Sequence, residues 1–328
     1  MLLKNSSTKS KKKHSISLYA MVGIKKIINK IRFLKSDFNH KRTFLNAKEA
    51  LIYTLAPYTH KGNEEKHQRI LGYLEPLFLE VNRSLPNKDR VQENISNDCP
   101  IWVLWWQGIE HAPIIVQRCV ESIQRNAGKH PFHILTKDNL DKYIQLPALI
   151  RQKVDNGVIT LTHLSDIIRM ALLAKYGGFW IDSTVFVTKP ITGYDLPFYS
   201  IRQHGSNPRY VDNGNGWTAY FIATCPNSIV AETIYDFFIA YWKTHDVLID
   251  YYLVDYAITL CKMHLPLMKR WLESVPYDSD KVNDMRLNLN STFSIELWSK
   301  LIENRYNKLG WRYPEFIANS IGKKIINE

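Results

Sequence analysis

Thr162-His163-Leu164-Ser165-Asp166-Ile167-Ile168-Arg169, continuing through Ala171-Leu172-Leu173 to Tyr176-Gly177-Gly178-Phe179-Trp180-Ile181-Asp182-Ser183-Thr184-Val185-Phe186-Val187, is the stretch whose reading decides the fold. Leu164, Ile167, Ile168, Ala171, Leu172 and Leu173 recur at helical spacing. Thr162 or Ser165 is placed to cap the start, and the glycine pair to take the left-handed turn at the end. Behind the glycines the period falls to two, with Phe179, Ile181, Val185 and Val187 on one side and Trp180, Asp182, Thr184 and Phe186 on the other. The expectation is a helix, a tight turn and an apolar strand in which Asp182 and Thr184 share a face.

Asp166 and Arg169 lie three apart on that helix, near its positive N-terminus, where anions are favoured. By itself such a pair is most often a surface ion pair, and a Gly-Gly after a helix is most often a C-cap. Asp182 shifts the balance, because a carboxylate inside an apolar strand is costly unless a cation offsets it. Two carboxylates and a guanidinium from one helix-turn-strand unit form a set suited to a ligand bearing both hydroxyls and phosphates.

Working outward, Phe132 to Leu135 reads as a strand, and a helix from Pro113 to Asn126 joins it to a first strand at Ile101-Trp102-Val103-Leu104-Trp105-Trp106-Gln107-Gly108, giving one βαβ unit. Glu64 to Leu85 reads as a preceding helix, broken at Pro86-Asn87-Lys88-Asp89. Gly205 to Gly216 reads as a loop over the site, Trp217 to Ala223 as a strand, and Tyr251 to Tyr256 as a helix carrying Asp255.

The first-strand words, Ala112-Pro113, Cys119-Val120-Glu121-Ser122-Ile123 and the Ser165 to Val187 stretch together resemble the capsular polysaccharide synthesis proteins over about ninety residues. That family is a branch of the bacterial and fungal sugar-transferases with a DXD motif, themselves similar to the clostridial toxin glucosyltransferases. The resemblance implies a GT-A fold, a Rossmann-like α/β sheet with one nucleotide-sugar site at the carboxyl ends of its strands. It implies Asp166 on ribose or sugar hydroxyls, Arg169 on the diphosphate or donor sugar, Asp182 on ribose and metal-bound diphosphate, and Trp105, with Trp106 as the alternative, on the base. Gly178 joins the expected donor-binding set. Asp255 resembles a recurrent family position, and Lys308-Leu309-Gly310-Trp311 a basic-aromatic closing word, which brings Lys308 toward the diphosphate; their bland readings are a satisfied helix acid and a surface lysine.

One departure concerns the metal. The family motif usually reads Asp-x-Asp with the last acid a metal ligand, and here that position is Thr184, a poor ligand for Mg²⁺ or Mn²⁺. Two alternatives stand: Asp182 holds a divalent ion with diphosphate oxygens, water and a later residue such as Asp255, or Arg169 and other basic groups neutralise the leaving group. The same departure keeps a binding protein without turnover in view beside a transferase.

Charge is unevenly placed. Residues 1–48 hold thirteen Lys or Arg and one acid, while the rest carries thirty of each sign, so the whole net charge of +12 sits in the tail. Ile24, Ile27, Ile28, Ile31 and Leu34 alternate there with Lys25, Lys26, Lys30 and Arg32 in an amphipathic pattern suited to an anionic membrane surface. A disordered extension and a packing helix are the competing readings. Nucleic-acid binding is disfavoured, because the basic run lacks interleaved aromatics. No apolar run approaches the roughly twenty residues that span a bilayer, and no secretory cleavage pattern follows the start, so a cytoplasmic protein on the inner face of the membrane is expected. Cys99, Cys119, Cys225 and Cys261 form no C-x-x-C pair, and the His residues show no metal-ligand spacing.

The expected organisation is a tail at 1–48, a helical lead-in at 49–98 and a GT-A domain at 99–328. The expected reaction moves a sugar, with retention, from a nucleoside diphosphate donor, most readily a UDP-sugar, to a glycan or lipid-linked glycan acceptor.

Overall fold

The structure, a computed structural model, describes residues 31, 34–35, 37–42, 45–55, 60–86, 90–204, 207, 209–211, 216–277, 281–313 and 315–327. Most of the basic tail and most of the Gly205 to Gly216 loop lie outside the described residues.

The chain divides into two compact units, Met1–Ile70 and Leu71–Glu328. In the first, helix α1 (Ala47–Leu55) begins where Asn46 Oδ1 accepts from the amide of Glu49 at 2.9 Å. It packs Ala50 and Tyr53 with Leu45, while Leu51, Ile52 and Leu55 stay exposed. Helix α2 (His60–Ser84) matches the predicted lead-in helix, and its Leu71, Leu74, Phe78 and Val81 are buried at helical spacing.

The second unit is built on a sheet. Strand β1 (Ile101–Leu104), helix α3 (Ile114–Arg125) and strand β2 (Phe132–Leu135) form the predicted parallel βαβ unit. The chain then returns past β1 through α4 (Ala148–Asp155) and α5 (Leu161–Tyr176) to β3 (Gly178–Ile181), which pairs parallel with the other edge of β1. Strands β4 (Val185–Val187), β5 (Phe198–Ser200) and β6 (Phe221–Thr224) follow, and the five-stranded order is β2-β1-β3-β6-β5, with β6 antiparallel to both neighbours. Helices α6 (Ile229–Thr244), α7 (Leu253–His264), α8 (Pro266–Ser274), α9 (Asp284–Leu287) and α10 (Ile295–Ile302) precede β7 (Tyr306–Lys308) and α11 (Ile321–Asn327), and β7 pairs antiparallel with β4 in a separate ribbon.

Strand residues are apolar on both faces because both are covered. Ile101, Val103, Phe179 and Ile181 pack with Ile115, Val116, Cys119, Val120 and Ile123 of α3 in one continuous core. Trp102 and Trp180 point the opposite way and are equally buried, the Trp102 indole donating to Gly177 O at 3.0 Å. This is the expected α/β architecture.

Local details differ from expectation for identifiable reasons. The cap of α5 is Thr160, whose side chain accepts from the amide of His163, so the helix starts earlier than Thr162 or Ser165 would allow. The predicted strand from Phe179 to Val187 is two strands in two sheets. The chain turns at Asp182 to Thr184, where the amide of Val185 donates to Asp182 O at 2.9 Å, and this lets the carboxylate leave the ladder instead of being sealed in it. The predicted strand at Trp217 is extended only from Phe221.

Candidate active site

The crevice follows from the topology. From β1 the chain moves to one side to make β2 and to the other to make β3, so the carboxyl ends of β1 and β3 flank the point where the strand order reverses, the usual ligand crevice of such sheets. With Trp102 opposite Trp180, Asp182 comes level with Leu104, and Trp105 lies one residue beyond it. Tyr220 lies at the same end because β6 is antiparallel, and its carbonyl accepts from the amide of Asp182 at 2.9 Å.

Four charged side chains meet there in alternating sign. Arg169 Nη1 lies 2.9 Å from Asp166 Oδ1, and Arg169 Nη2 lies 3.4 Å from Asp182 Oδ1. Lys308 Nζ lies 2.9 Å from Asp182 Oδ2 and 2.8 Å from Thr184 Oγ1. The Trp180 indole donates to Asp182 Oδ1 at 3.0 Å. Asp182 and Thr184 thus do turn to a common point, although the turn rather than a strand face brings them there. Burial alone would raise the pKa of Asp182, but the charges of Lys308 and Arg169 and the hydrogen bonds from Lys308 and Trp180 outweigh it and hold the carboxyl below its ordinary value.

Arg169 is pinned on all sides. Its side chain is 5% exposed, its guanidinium sits 5.0 Å over the Trp180 ring, and its Nε and Nη1 make no hydrogen bond among the described residues. The ion pair to Asp166 is close in distance, and Nε and Nη1 are fully enclosed, so the guanidinium is held as a fixed charge at the crevice. Behind Asp166 stands His163, with Nδ1 3.4 Å from Asp166 Oδ2 and its ring against Phe238 and Trp242. The helix spacing that places Asp166 and Arg169 side by side thus also supplies a buried imidazole behind them.

The other expected residues are distributed as follows. Trp105 packs on the core with its ring edge-on to Trp311, at 6.4 Å between centroids, so the closing word of the sequence does reach the crevice. Trp106 is half-buried in the turn after β1, where its carbonyl accepts from the amide of Lys137. Asp255, in the first turn of α7, accepts from the Trp217 indole at 2.9 Å. The Tyr251 phenol is pushed up by burial first and then by Asp166, Asp182 and Asp255. Gly178 requires correction as a donor-binding residue: it sits at the amino end of β3 with φ of 90°, where any Cβ would strike the carbonyl of Pro100. Its role is packing, at the end of the strand remote from Asp182.

Sequence reasoning missed Tyr220 and Tyr251, while His163, expected as a structural hydrogen-bonder rather than a catalyst, stands behind Asp166. Tyr220 lies with its ring 4.5 Å from Lys308 Nζ, and nothing short of the β3–β6 register reveals it. A cavity of about 590 Å³ lined by Asn94, Asp98, Lys129 and Tyr194 opens at the amino ends of β1 and β2, away from these charges. We assign the site by its side chains rather than by that hollow.

The donor set does not fit a resident divalent ion. No group of three or more His, Cys, Asp or Glu side chains converges among the described residues. The two oxygens that do converge, on Asp182 and Thr184, converge on an ammonium.

Residues 52–325 match the capsular polysaccharide synthesis protein family. A curated relative, the O-glycosyltransferase braB of Annulohypoxylon truncatum, is 26% identical over 106 residues, which is 30% of this chain and 25% of that protein. The chain therefore aligns with about a quarter of that relative's length. A solved structure titled PaToxG Glycosyltransferase aligns over 77% of this chain and 98% of its own at 11% identity and a TM-score of 0.37, a likeness too slight to carry weight.

Proposed function

The chain belongs to the capsular polysaccharide synthesis protein family, and from that premise we propose that it transfers a sugar from a nucleoside diphosphate donor, a UDP-sugar first, to a hydroxyl of a growing, lipid-linked surface glycan. Family membership and the match to a named O-glycosyltransferase support a glycosyl-transfer role. The observation that carries the finer reading is the charged cluster itself: Arg169 fixed between Asp166 and Asp182, with the partly exposed Lys308 on Asp182 and Thr184, at the carboxyl ends of β1 and β3. A diphosphate meets two cations there, and Asp166 and Asp182 supply acceptors for ribose or sugar hydroxyls.

In this reading Trp105 and Trp311 form the wall for the base, and the open side toward Tyr251 and Asp255 admits the acceptor. The chemical work is to offset charge gathering on the departing diphosphate and to hold the acceptor in line. Arg169 and Lys308 are placed for the first task. Retention of configuration is part of the proposal, since Asp166 and Asp182 are each tied to a cation. The tail at 1–48, with its +12 charge, is the proposed attachment to an anionic membrane. Among the described residues no helix is long and apolar enough to cross one.

The test is a screen of nucleoside diphosphate sugars for release of nucleoside diphosphate in the presence of a lipid-linked acceptor extract. Release with one donor supports the transferase. Binding of nucleotide without release from any donor would favour the non-catalytic alternative, which Thr184 in place of an acid keeps in play.

A further inference from the structure

We infer that the ammonium of Lys308 fills the place of a divalent cation in this site, so that the donor diphosphate is gripped by a tethered cation and its binding needs no metal. The inference rests on the nucleotide-sugar reading above and deepens it.

Position is the first argument. Lys308 is the last residue of β7 and pairs with Val185, directly after the turn that carries Asp182 and Thr184. Its backbone is held from both sides, the amide of Lys308 donating to Val282 O at 2.8 Å and the amide of Leu309 to Thr184 O at 2.9 Å. The side chain then has little freedom: Nζ meets Asp182 Oδ2, Thr184 Oγ1 and the face of Tyr220. Two of its three protons are committed and the side chain remains 21% exposed, which leaves it reachable from the crevice.

Charge is the second argument. Asp166 and Asp182 are matched by Arg169 and Lys308, two of each sign, before any ligand arrives. An acid at position 184 would leave one negative charge in excess for a metal to offset; Thr184 adds none, and its hydroxyl can accept from the ammonium. A divalent ion placed between Asp182 and Thr184 would also stand against Nζ, where like charges in a partly buried site repel strongly. Thr184 and Lys308 are thus two halves of one device.

Ligand chemistry is the third. Lysine is a compact point charge suited to phosphate oxygens, and a cation already seated needs no reorganisation when charge develops on the leaving diphosphate.

The experiment titrates the full chain with UDP, and separately with GDP, by calorimetry in chelator and again with Mn²⁺. The proteins are the wild type, Lys308→Gln and the double variant Lys308→Gln/Thr184→Asp, and Mn²⁺ binding is followed in parallel by electron paramagnetic resonance. The wild type should bind equally, within about twofold, with and without metal, and should not immobilise Mn²⁺. Lys308→Gln should bind about tenfold more weakly, unrelieved by Mn²⁺, the size of one lost charge-assisted contact. The double variant should recover affinity only with Mn²⁺. Wild-type binding that chelator abolishes and Mn²⁺ restores overturns the inference and leaves the transferase reading standing, and this comparison needs no variant to fold. Failure of the wild type to bind either nucleotide in any condition removes the nucleotide-sugar reading and this inference with it.

Discussion

Arg169→Ala separates what holds the site together from what it binds. Arg169 is 5% exposed and, among the described residues, is the strong counter-charge on Asp166, itself 10% exposed, with His163 next at 3.4 Å. Deleting the guanidinium strands that carboxylate, and a buried charge left without its partner costs about 3–5 kcal/mol. The contact over Trp180 at 5.0 Å is part of the same loss, worth about 1 kcal/mol by itself. For a unit of this size the melting temperature should fall by about 10 °C. Removing both charges with the apolar pair Asp166→Leu/Arg169→Met should recover more than half of the drop, because no orphan charge remains. Nucleotide affinity should not recover, because the donors are still gone. The assay is thermal unfolding of the three proteins with and without UDP. An Arg169→Ala protein melting within about 2 °C of wild type would refute the argument, since it would mean that Asp166 finds water or another cation.

Asp182→Asn should lower nucleoside diphosphate release at least about a hundredfold while leaving the sheet folded, as removal of a charged group at a reacting centre does; steady-state release assays check it. Lys308→Gln should move the acid limb of stability upward. In the wild type the depressed carboxyl of Asp182 stabilises the fold above its ordinary value, a contribution lost as pH falls through the lower folded value, and without the ammonium that loss begins at higher pH. Unfolding scans between about pH 3 and 6 read it directly. Trp105→Ala should weaken UDP binding about threefold to tenfold, and more than Trp106→Ala, if the wall shared with Trp311 takes the base. Deleting residues 1–30 should reduce binding to anionic vesicles in a salt-sensitive way, with sedimentation at two ionic strengths as the measurement.

Much of the central architecture is legible in the chain because it is local. The helix that carries Asp166 and Arg169, the glycine turn and the apolar strand behind it follow from periods read within about twenty-five residues. The βαβ unit before them follows from turn signals and strand composition. What escapes is whatever depends on pairing between distant segments. Asp182 looked like a strand residue because the apolar run continues through Val187, and only the β4–β7 ribbon explains why the run breaks at the carboxylate. Lys308 looked equally like an ordinary surface lysine, since no acid lies within four residues of it; its partner is 126 positions away. Gly178 lies four positions from Asp182 in sequence, yet the two stand at opposite ends of β3, and its missing side chain serves the Pro100 backbone.

The ribbon of β4 and β7 has a consequence for how the protein comes into being. Its three residue pairs join segments more than a hundred positions apart, with Thr188 and Asn307 side chains closing onto the facing backbone. Every strand of the five-stranded sheet lies before residue 225 and can assemble first, but until β7 arrives Asp182 has no ammonium beside it. On a chain still leaving the ribosome, the strands of the scaffold emerge before the segment that completes the binding site, which forms by closing a loop of more than a hundred residues.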